Sequence, residues 1–384
     1  MSKLEELINK LCPNGVEFKN LDKVCSVSTG NQLNKNKLLD DAKYPVINGG
    51  INPSGYWHEY NTDKDTITIS QGGASAGFVN YMKKPFWAGA HCYVVKLEDE
   101  SVNYRYLFYC LKSLENKLQQ YQQGAGIPSI SRKTIYENRI PVPPLEVQCE
   151  IVRILDNFTL LSAELSAELS ARQKQYEYYK KSLIDNNTSK EIPLKDIIKK
   201  SCSGGTPLKS KKEFYENGSI PWLRTQEVKF NEIYEISGRI TEEAIKFTSA
   251  KWIPENCIIV AMSGASAGRC AINKIETTTN QHCLNLEIDD SKALYKYVFY
   301  CVCSKYDELI AKKEGARGDL NSSKILNLKI PLPPLKEQER IVNILDRFDK
   351  LCNNLSEGLP AEIEARKKQY EYYRDKLLTF KELK

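Results

Sequence analysis

The chain has only 3 histidines among 384 residues. Two of them, His91 and His282, open matching apolar segments and are expected to be core residues. General-base catalysis is therefore poorly supplied. No CxxC occurs among the 12 cysteines. The nearest approach to a metal cluster is His282-Cys283 with Cys301 and Cys303. The matching segment has His91-Cys92 and Cys110 but Lys112 in place of Cys303. That pattern reads as buried thiols rather than zinc, whose ligands keep tighter spacings. No run of about 18 apolar residues exists. The start, MSKLEELINKL, lacks the apolar stretch of a signal peptide, so a cytosolic protein with reduced thiols is expected. The glycine-rich loops Gln71–Gly77 and Ser263–Gly268 lack the GK[ST] ending of a phosphate-binding loop, with Phe78 or Arg269 at the lysine position. They read as tight strand-to-strand turns or, alternatively, as places where the backbone approaches a bound phosphate or base. Pro143-Pro144 and Pro333-Pro334 lack the polar and aromatic flanks of a base methyltransferase loop and serve as helix starts.

What is present is a duplication. Residues 140–158, IPVPPLEVQCEIVRILDNF, return at 330–348 as IPLPPLKEQERIVNILDRF. RQKQYEYY at Arg172–Tyr179 returns as RKKQYEYY at Arg366–Tyr373. GASAG and the His-Cys pair also recur. A period near half the chain describes two copies of one unit, not a solenoid.

Within the repeat, Val147, Ile151, Ile154, Phe158, Leu161, Leu165, Leu169, Arg172, Tyr176, Tyr179 and Leu183 alternate by threes and fours. Apart from Arg172, this is the apolar seam of a coiled coil. The second copy runs through Ile341, Ile344, Phe348, Leu351, Leu355, Leu359, Ile363, Arg366, Tyr370, Tyr373 and Leu377. It carries one extra step of four, about 6 Å of helix, and so preserves the face. The first rod should be continuous. Gly358-Leu359-Pro360 should break the second, with a fresh start at Pro360, because proline inside a helix costs about 3 kcal/mol.

The globular parts read as mixed short strands and helices. A short amphipathic helix covers 2–11. Strands are expected at Tyr44–Ile47, Thr66–Ser70, His91–Val95, Ile220–Leu223 and Ile258–Met262, and a helix over Tyr104–Gln123. The second copy is longer between Ser203 and Cys257. Polar, basic and aromatic residues cluster near the predicted loops. In the first region these are Lys35, Lys37, Asn48, Trp57, His58, Gln71, Ser75, Lys83 and Lys84. In the second they are Lys209, Lys211, Lys212, Trp222, Arg224, Thr225, Gln226, Ser263, Ser266 and Arg269. Lysine and arginine neutralise phosphates, while Gln, Asn and Arg read base edges through paired hydrogen bonds. The net charge of +6 is compatible with nucleic acid and modest by itself. Leu161, Leu165, Leu169, Tyr176, Tyr179, Leu355, Leu359, Tyr370 and Tyr373 are the candidate spacer and partner-docking residues.

The paired IPxPPLxxQxxIVxILDxF segments, the paired KQYEYY segments and the variable regions between them resemble the specificity subunit of type I restriction-modification systems. LSAELSAEL at Leu161–Leu169 is similar to the tetrapeptide repeats of that family's central helix. The resemblance implies an α+β fold with a pseudo-two-fold repeat. Two target recognition domains, 1–139 and 189–329, would be separated by long antiparallel helices at 140–188 and 330–384. It implies a non-catalytic subunit whose domains each read half of a split DNA site, with the rod setting the spacing. Implied partners are double-stranded DNA, two modification (methyltransferase) subunits and a motor-nuclease restriction subunit. S-adenosylmethionine, Mg and ATP would belong to those subunits, and no cofactor to this chain. The specificity subunit of a fused, type IIB-like restriction-methylation enzyme, a nuclease or methyltransferase in its own right, and a coiled-coil adaptor that binds no DNA are the competing readings.

Overall fold

The computed structural model describes residues 3–120, 128–313, 319–354 and 357–383. The chain divides into two compact units, Met1–Ser166 with Glu362–Lys384, and Ala167–Ala361. The divisions fall inside helical segments, because each stretch of helix packs on its own globular region.

In the first unit, four antiparallel strands lie in the order Cys25–Thr29, Cys92–Leu97, Thr66–Ser70, Val79–Met82. Ile67 and Ile69 of the Thr-Ile alternation are fully buried. A smaller sheet joins Gly55–Trp57, Tyr44–Ile47 and Trp87–Ala88, the last pair being parallel. Glu17–Asn20 pairs with Arg139–Val142. The helix expected over Tyr104–Gln123 is two helices, Tyr104–Ser113 and Glu115–Gln120; residues 121–127 lie outside the described chain. Asn103 starts the first by accepting from the N–H groups of Arg105 and Tyr106. The amphipathic helix forms as Lys3–Leu11. Leu4 packs in the same core cluster as Leu378. Gly15, at φ +109°, lets the backbone pass Lys381, whose carbonyl would lie 2.4 Å from any Cβ there.

The second unit repeats this plan. Ile198–Ser203, Cys283–Ile288, Ile258–Ala261 and Cys270–Asn273 follow the same sheet order, with Glu232–Ile233 added at the edge. Its smaller sheet holds Arg239–Ile240, Ile220–Leu223, Thr277–Thr279 and Trp252–Ile253. The residues inserted between Ser203 and Cys257 supply the added strands and a short helix, Glu242–Phe247. The fold is therefore α+β with an internal duplication.

The repeated helix start has a packing reason. Gln148 is fully buried; its Oε1 accepts from the Asn103 N–H at 2.8 Å, and its Nε2 donates to Ser101 and Pro143 carbonyls. Gln338 makes the corresponding bonds with Leu294, Lys292 and Pro333. A buried amide must satisfy both ends of its dipole, so this side chain fixes the helix to its own domain. Tyr106 and Tyr297 donate to the carbonyls of Pro141 and Pro331.

The long helix is continuous over Leu145–Lys180 and ends in a wider turn at Lys181–Asp185. Its distal counterpart is interrupted beside Gly358-Leu359-Pro360, forming Leu335–Asn353 and Leu359–Leu377. The seam forms within each unit. In the first, Phe158 stacks on Tyr373 at 5.6 Å between centroids. In the second, Phe348 stacks on Tyr179 and Tyr176 at 5.3 and 6.2 Å. Arg172 acts on Cys352 while Tyr176 and Tyr179 meet Phe348, so the chain directions there are antiparallel. Leu165, Leu169, Leu359 and Tyr370 are half-buried, and Leu161 is 37% exposed. Leu355 lies outside the described residues.

Cys92, Cys110, Cys283 and Cys301 are buried thiols. Burial pushes each of them up to about 12. The Sγ atoms of Cys270 and Cys303 lie 3.3 Å apart. Among the described residues, no group of His, Cys, Asp and Glu is placed to hold a metal. No described helix is long and apolar enough to cross a membrane.

Candidate nucleic-acid interface

Both glycine-rich loops are strand-to-strand turns. In the first unit the loop joins Thr66–Ser70 to Val79–Met82, with the Gly77 N–H closing on the Ser70 carbonyl at 2.8 Å. Gly73 and Gly77 have φ of +81° and +90°, and Gly264 and Gly268 match them at +71° and +88°. Such angles disfavour any other residue. A Cβ at Gly73 or Gly264 would meet nothing within 4 Å, so the loop crest is open on its outer side.

Other segments meet beside each crest, three in the first unit and two in the second. In the first unit, the Gln71 N–H donates to the His91 carbonyl, the His91 N–H to Asn48 Oδ1, and the Gly73 N–H to the Pro128 carbonyl. In the second, Met262 donates to the His282 carbonyl, His282 to Asn280 Oδ1, and Leu320 to the Met262 carbonyl. Tyr93 backs the first site. Its hydroxyl donates to the Ile130 carbonyl, and burial pushes the phenol up while nearby Arg132 opposes the shift.

His91 and His282 are exposed, which corrects the expectation that they are core residues. The strands begin one residue later, at Cys92 and Cys283, whose side chains point inward. Alternation along a strand then sends the preceding imidazole outward.

The structure groups only some of the predicted residues. Asn48, Gln71 and Ser75 converge at the first crest. Lys83 and Lys84 are exposed but follow Met82, at the end of the strand pair remote from the loop. Trp57 stands opposite Tyr44, at the start of the strand that leads to Asn48, with its ring 5.4 Å from His58. Lys35 and Lys37 are exposed on a single turn. In the second unit, Ser263, Ser266 and Arg269 belong to the glycine loop, and Thr225 and Gln226 to a turn after Arg224. Lys211 and Lys212 pair with Glu213 and Glu216 at 3.5 and 3.6 Å, exposed contacts of small energetic weight. Trp222 departs from the expectation of a surface reader. It is 7% exposed, and its indole N–H donates to the Gly205 carbonyl at 3.0 Å.

Beside Trp222 a concavity of about 700 Å³ opens between the smaller sheet and the loop before His282. Lys209, Arg224, Arg239, Gln281 and His282 line it. Arg239, Gln281 and His282 were not predicted as interface residues from sequence. The signal for the last two was the recurring His-Cys pair, read on the wrong face. The arrangement offers cationic and amide donors around an aromatic floor, which suits acidic, planar, hydrogen-bonding surfaces.

The domain description "Type I restriction modification DNA specificity domain" matches residues 13–172 and again 186–365. A type I restriction enzyme specificity subunit of Escherichia coli is 39% identical over 303 residues, covering 75% of this chain and 73% of that protein. A putative type I restriction enzyme specificity subunit of Haemophilus influenzae is 31% identical over 388 residues, covering 95% and 96%. In fold, the chain resembles the crystal structure of a type I restriction-modification S subunit from M. genitalium. The TM-score is 0.63 at 19% identity, over 95% of this chain and 96% of that one.

Proposed function

The chain belongs to the type I restriction modification DNA specificity family, and from that premise we propose that it is the DNA-specificity subunit of a restriction-modification complex. Each unit reads one half of a bipartite, asymmetric site through the surface beside its glycine loop. The observation that carries this is the duplication of that surface on two copies of one fold, with different side chains at matched positions. Asn48 and Arg224 both follow an inner strand of the smaller sheet. A pseudo-two-fold reader with unlike heads suits a two-part site with unlike halves.

Catalysis belongs to the partners in this reading. Two modification subunits bring S-adenosylmethionine and methylate adenine, and a motor-nuclease subunit using Mg and ATP joins for restriction. Two matched docking faces support the pair of modification subunits. Tyr178 and Tyr372 occupy equivalent places in the repeated KQYEYY segments and are 68% and 62% exposed. Their neighbours Tyr179 and Tyr373 turn to the seam instead.

The test is to map methylated adenines in DNA from cells carrying the complete complex. A split, asymmetric sequence with a fixed gap is expected. Methylation at one short uninterrupted sequence, or without sequence preference, would remove the reading.

A further inference from the structure

We propose that Arg224 is the base-reading side chain of the second unit and that the base it reads is guanine; this rests on the DNA-specificity reading above. Arg224 leaves the strand Ile220–Leu223 at the wall of the 700 Å³ concavity. Its guanidinium lies over the Trp222 ring, 5.9 Å from the centroid. That ring is itself fixed by the bond to Gly205. The Arg224 backbone is fixed too, its N–H donating to Glu227 Oε2 at 2.9 Å and its carbonyl accepting from the Glu227 N–H at 3.0 Å.

The guanidinium has not been assigned a structural task. Its Nε is covered and has no hydrogen-bond partner, and among the described residues no carboxylate forms an ion pair with it. Arg105 of the first unit shows what a structural arginine looks like here, since it pairs with Asp156 at 2.8 Å. A guanidinium is itself a rigid planar fork, which favours paired bonds over a diffuse charge contact.

The chemistry of the fork selects the base. Arginine has donors only. In the major groove guanine alone presents two adjacent acceptors, O6 and N7, on one base. Adenine sets a donor beside its N7, so one of the two bonds is replaced by opposed donors. Lys209 and Arg239 stand exposed at the rim, where phosphates would be met. Gln281 sits beside them, held by the Thr206 hydroxyl and by its approach to His282 at 3.3 Å.

The first unit has no arginine at the matched position. Its matched strand ends in Val46-Ile47 and is followed by Asn48, where the second ends in Trp222-Leu223 and is followed by Arg224. The parallel pairings Ile47 with Ala88 and Leu223 with Thr279 fix that correspondence. Asn48 Oδ1 is already engaged by the His91 N–H at 3.1 Å. At this matched position, then, the second unit carries an arginine and the first an asparagine.

The complete complex, with wild-type chain, Arg224→Ala, Arg224→Gln or Arg224→Lys, is tested by competition binding and by adenine-methylation mapping. Competitor duplexes carry 7-deazaguanine at each guanine of the mapped site in turn. One guanine of the second half-site should be sensitive, weakening wild-type binding by about 5-fold or more. Arg224→Ala should lose choice at that base pair, show no further loss with 7-deazaguanine, and leave the first half-site intact. Arg224→Lys should relax the same position, since it keeps charge without the fork. Equal weakening on every duplex, whether by Ala or by Gln, would make Arg224 a phosphate contact and overturn the inference. So would an absence of any sensitive guanine. Should the Ala variant not fold, retained guanine choice in Arg224→Gln would also overturn it. A wild-type complex without sequence preference would instead remove the proposed function itself.

Discussion

The phenol of Tyr300 donates a 2.6 Å hydrogen bond to the carboxylate of Asp346, and Tyr109 makes the same bond to Asp156. Each pair ties a domain helix to the repeated helix that leaves the domain. A cation completes the contact, Lys296 at 2.9 Å from Asp346 and Arg105 at 2.8 Å from Asp156. Burial, with the neighbouring carboxylate, pushes both phenols well above their ordinary range, so both remain donors. A hydrogen bond to a charged acceptor contributes about 1.5–3 kcal/mol. Tyr300→Phe and Tyr109→Phe should each destabilise by about that amount in urea denaturation. A change near zero in both would show that the packed rings, and not the bonds, hold the helices on.

The repeated helices were legible in sequence because a three-four pattern held for over thirty residues leaves little choice of partner face. The break beside Gly358 and Pro360 was legible because its cause is local. Gln148 and Gln338 were visible as repeated letters, but not as anchors. Their partners, Asn103 and Leu294, lie over forty residues upstream. The reading surface was harder still. Its strands are two to four residues long, too short to show a period. A parallel pairing such as Trp222 with Thr278 is set by long-range register. Trp222 was therefore grouped with the polar residues that follow it, and the apolar run after His282 suggested a buried imidazole. The histidine is reversed by one residue of strand register, since the side-chain period is two, whereas Trp222 lies on a strand buried on both faces, as Leu223 beside it shows.

Glu150 gives a prediction in pH. Its side chain is 4% exposed and bonded by Arg153 at 2.6 Å and Lys3 at 3.2 Å. The hydrogen bonds from Arg153, chiefly, and from Lys3 hold the carboxyl at about 2. A depressed carboxylate contributes stability above its unfolded value, near 4.5, and that contribution is lost as pH falls through the folded value. The wild-type urea midpoint should fall between pH 4.5 and 2 more steeply than that of Glu150→Gln. Parallel curves would mean the pair is too screened to matter.

The interruption between the distal helices separates two residues that sequence lumps together. A Cβ at Gly358 would lie 2.7 Å from the carbonyl oxygens of Asn354 and Lys350. Pro360 lies in the first turn of Leu359–Leu377, where a missing N–H leaves no bond unmade. Gly358→Ala should cost about 1–3 kcal/mol through this overpacking, and Pro360→Ala less than about 1 kcal/mol. Thermal melts of the two variants decide the order. A larger loss for Pro360→Ala would mean that the proline, and not the glycine, sets the turn.

The tetrapeptide repeat of the long helix can be shortened without disturbing its own bonds. Ser162 Oγ donates to the Phe158 carbonyl at 3.0 Å, and Ser166 Oγ to the Ser162 carbonyl at 2.8 Å. Deleting Ser162–Leu165 puts Ser166 where Ser162 stood and Leu169 where Leu165 stood, so the seam residues keep their sequence. The helix loses about 6 Å and about 40° of rotation. At about 3.4 Å per base pair, that length corresponds to about two base pairs of duplex. If the helix sets the interval between half-sites, methylation mapping should return the same two half-sites with a gap shorter by about one or two base pairs. Altered half-sites with the gap unchanged would mean that spacing is fixed elsewhere, and the seam would then be a packing surface with no part in measuring DNA.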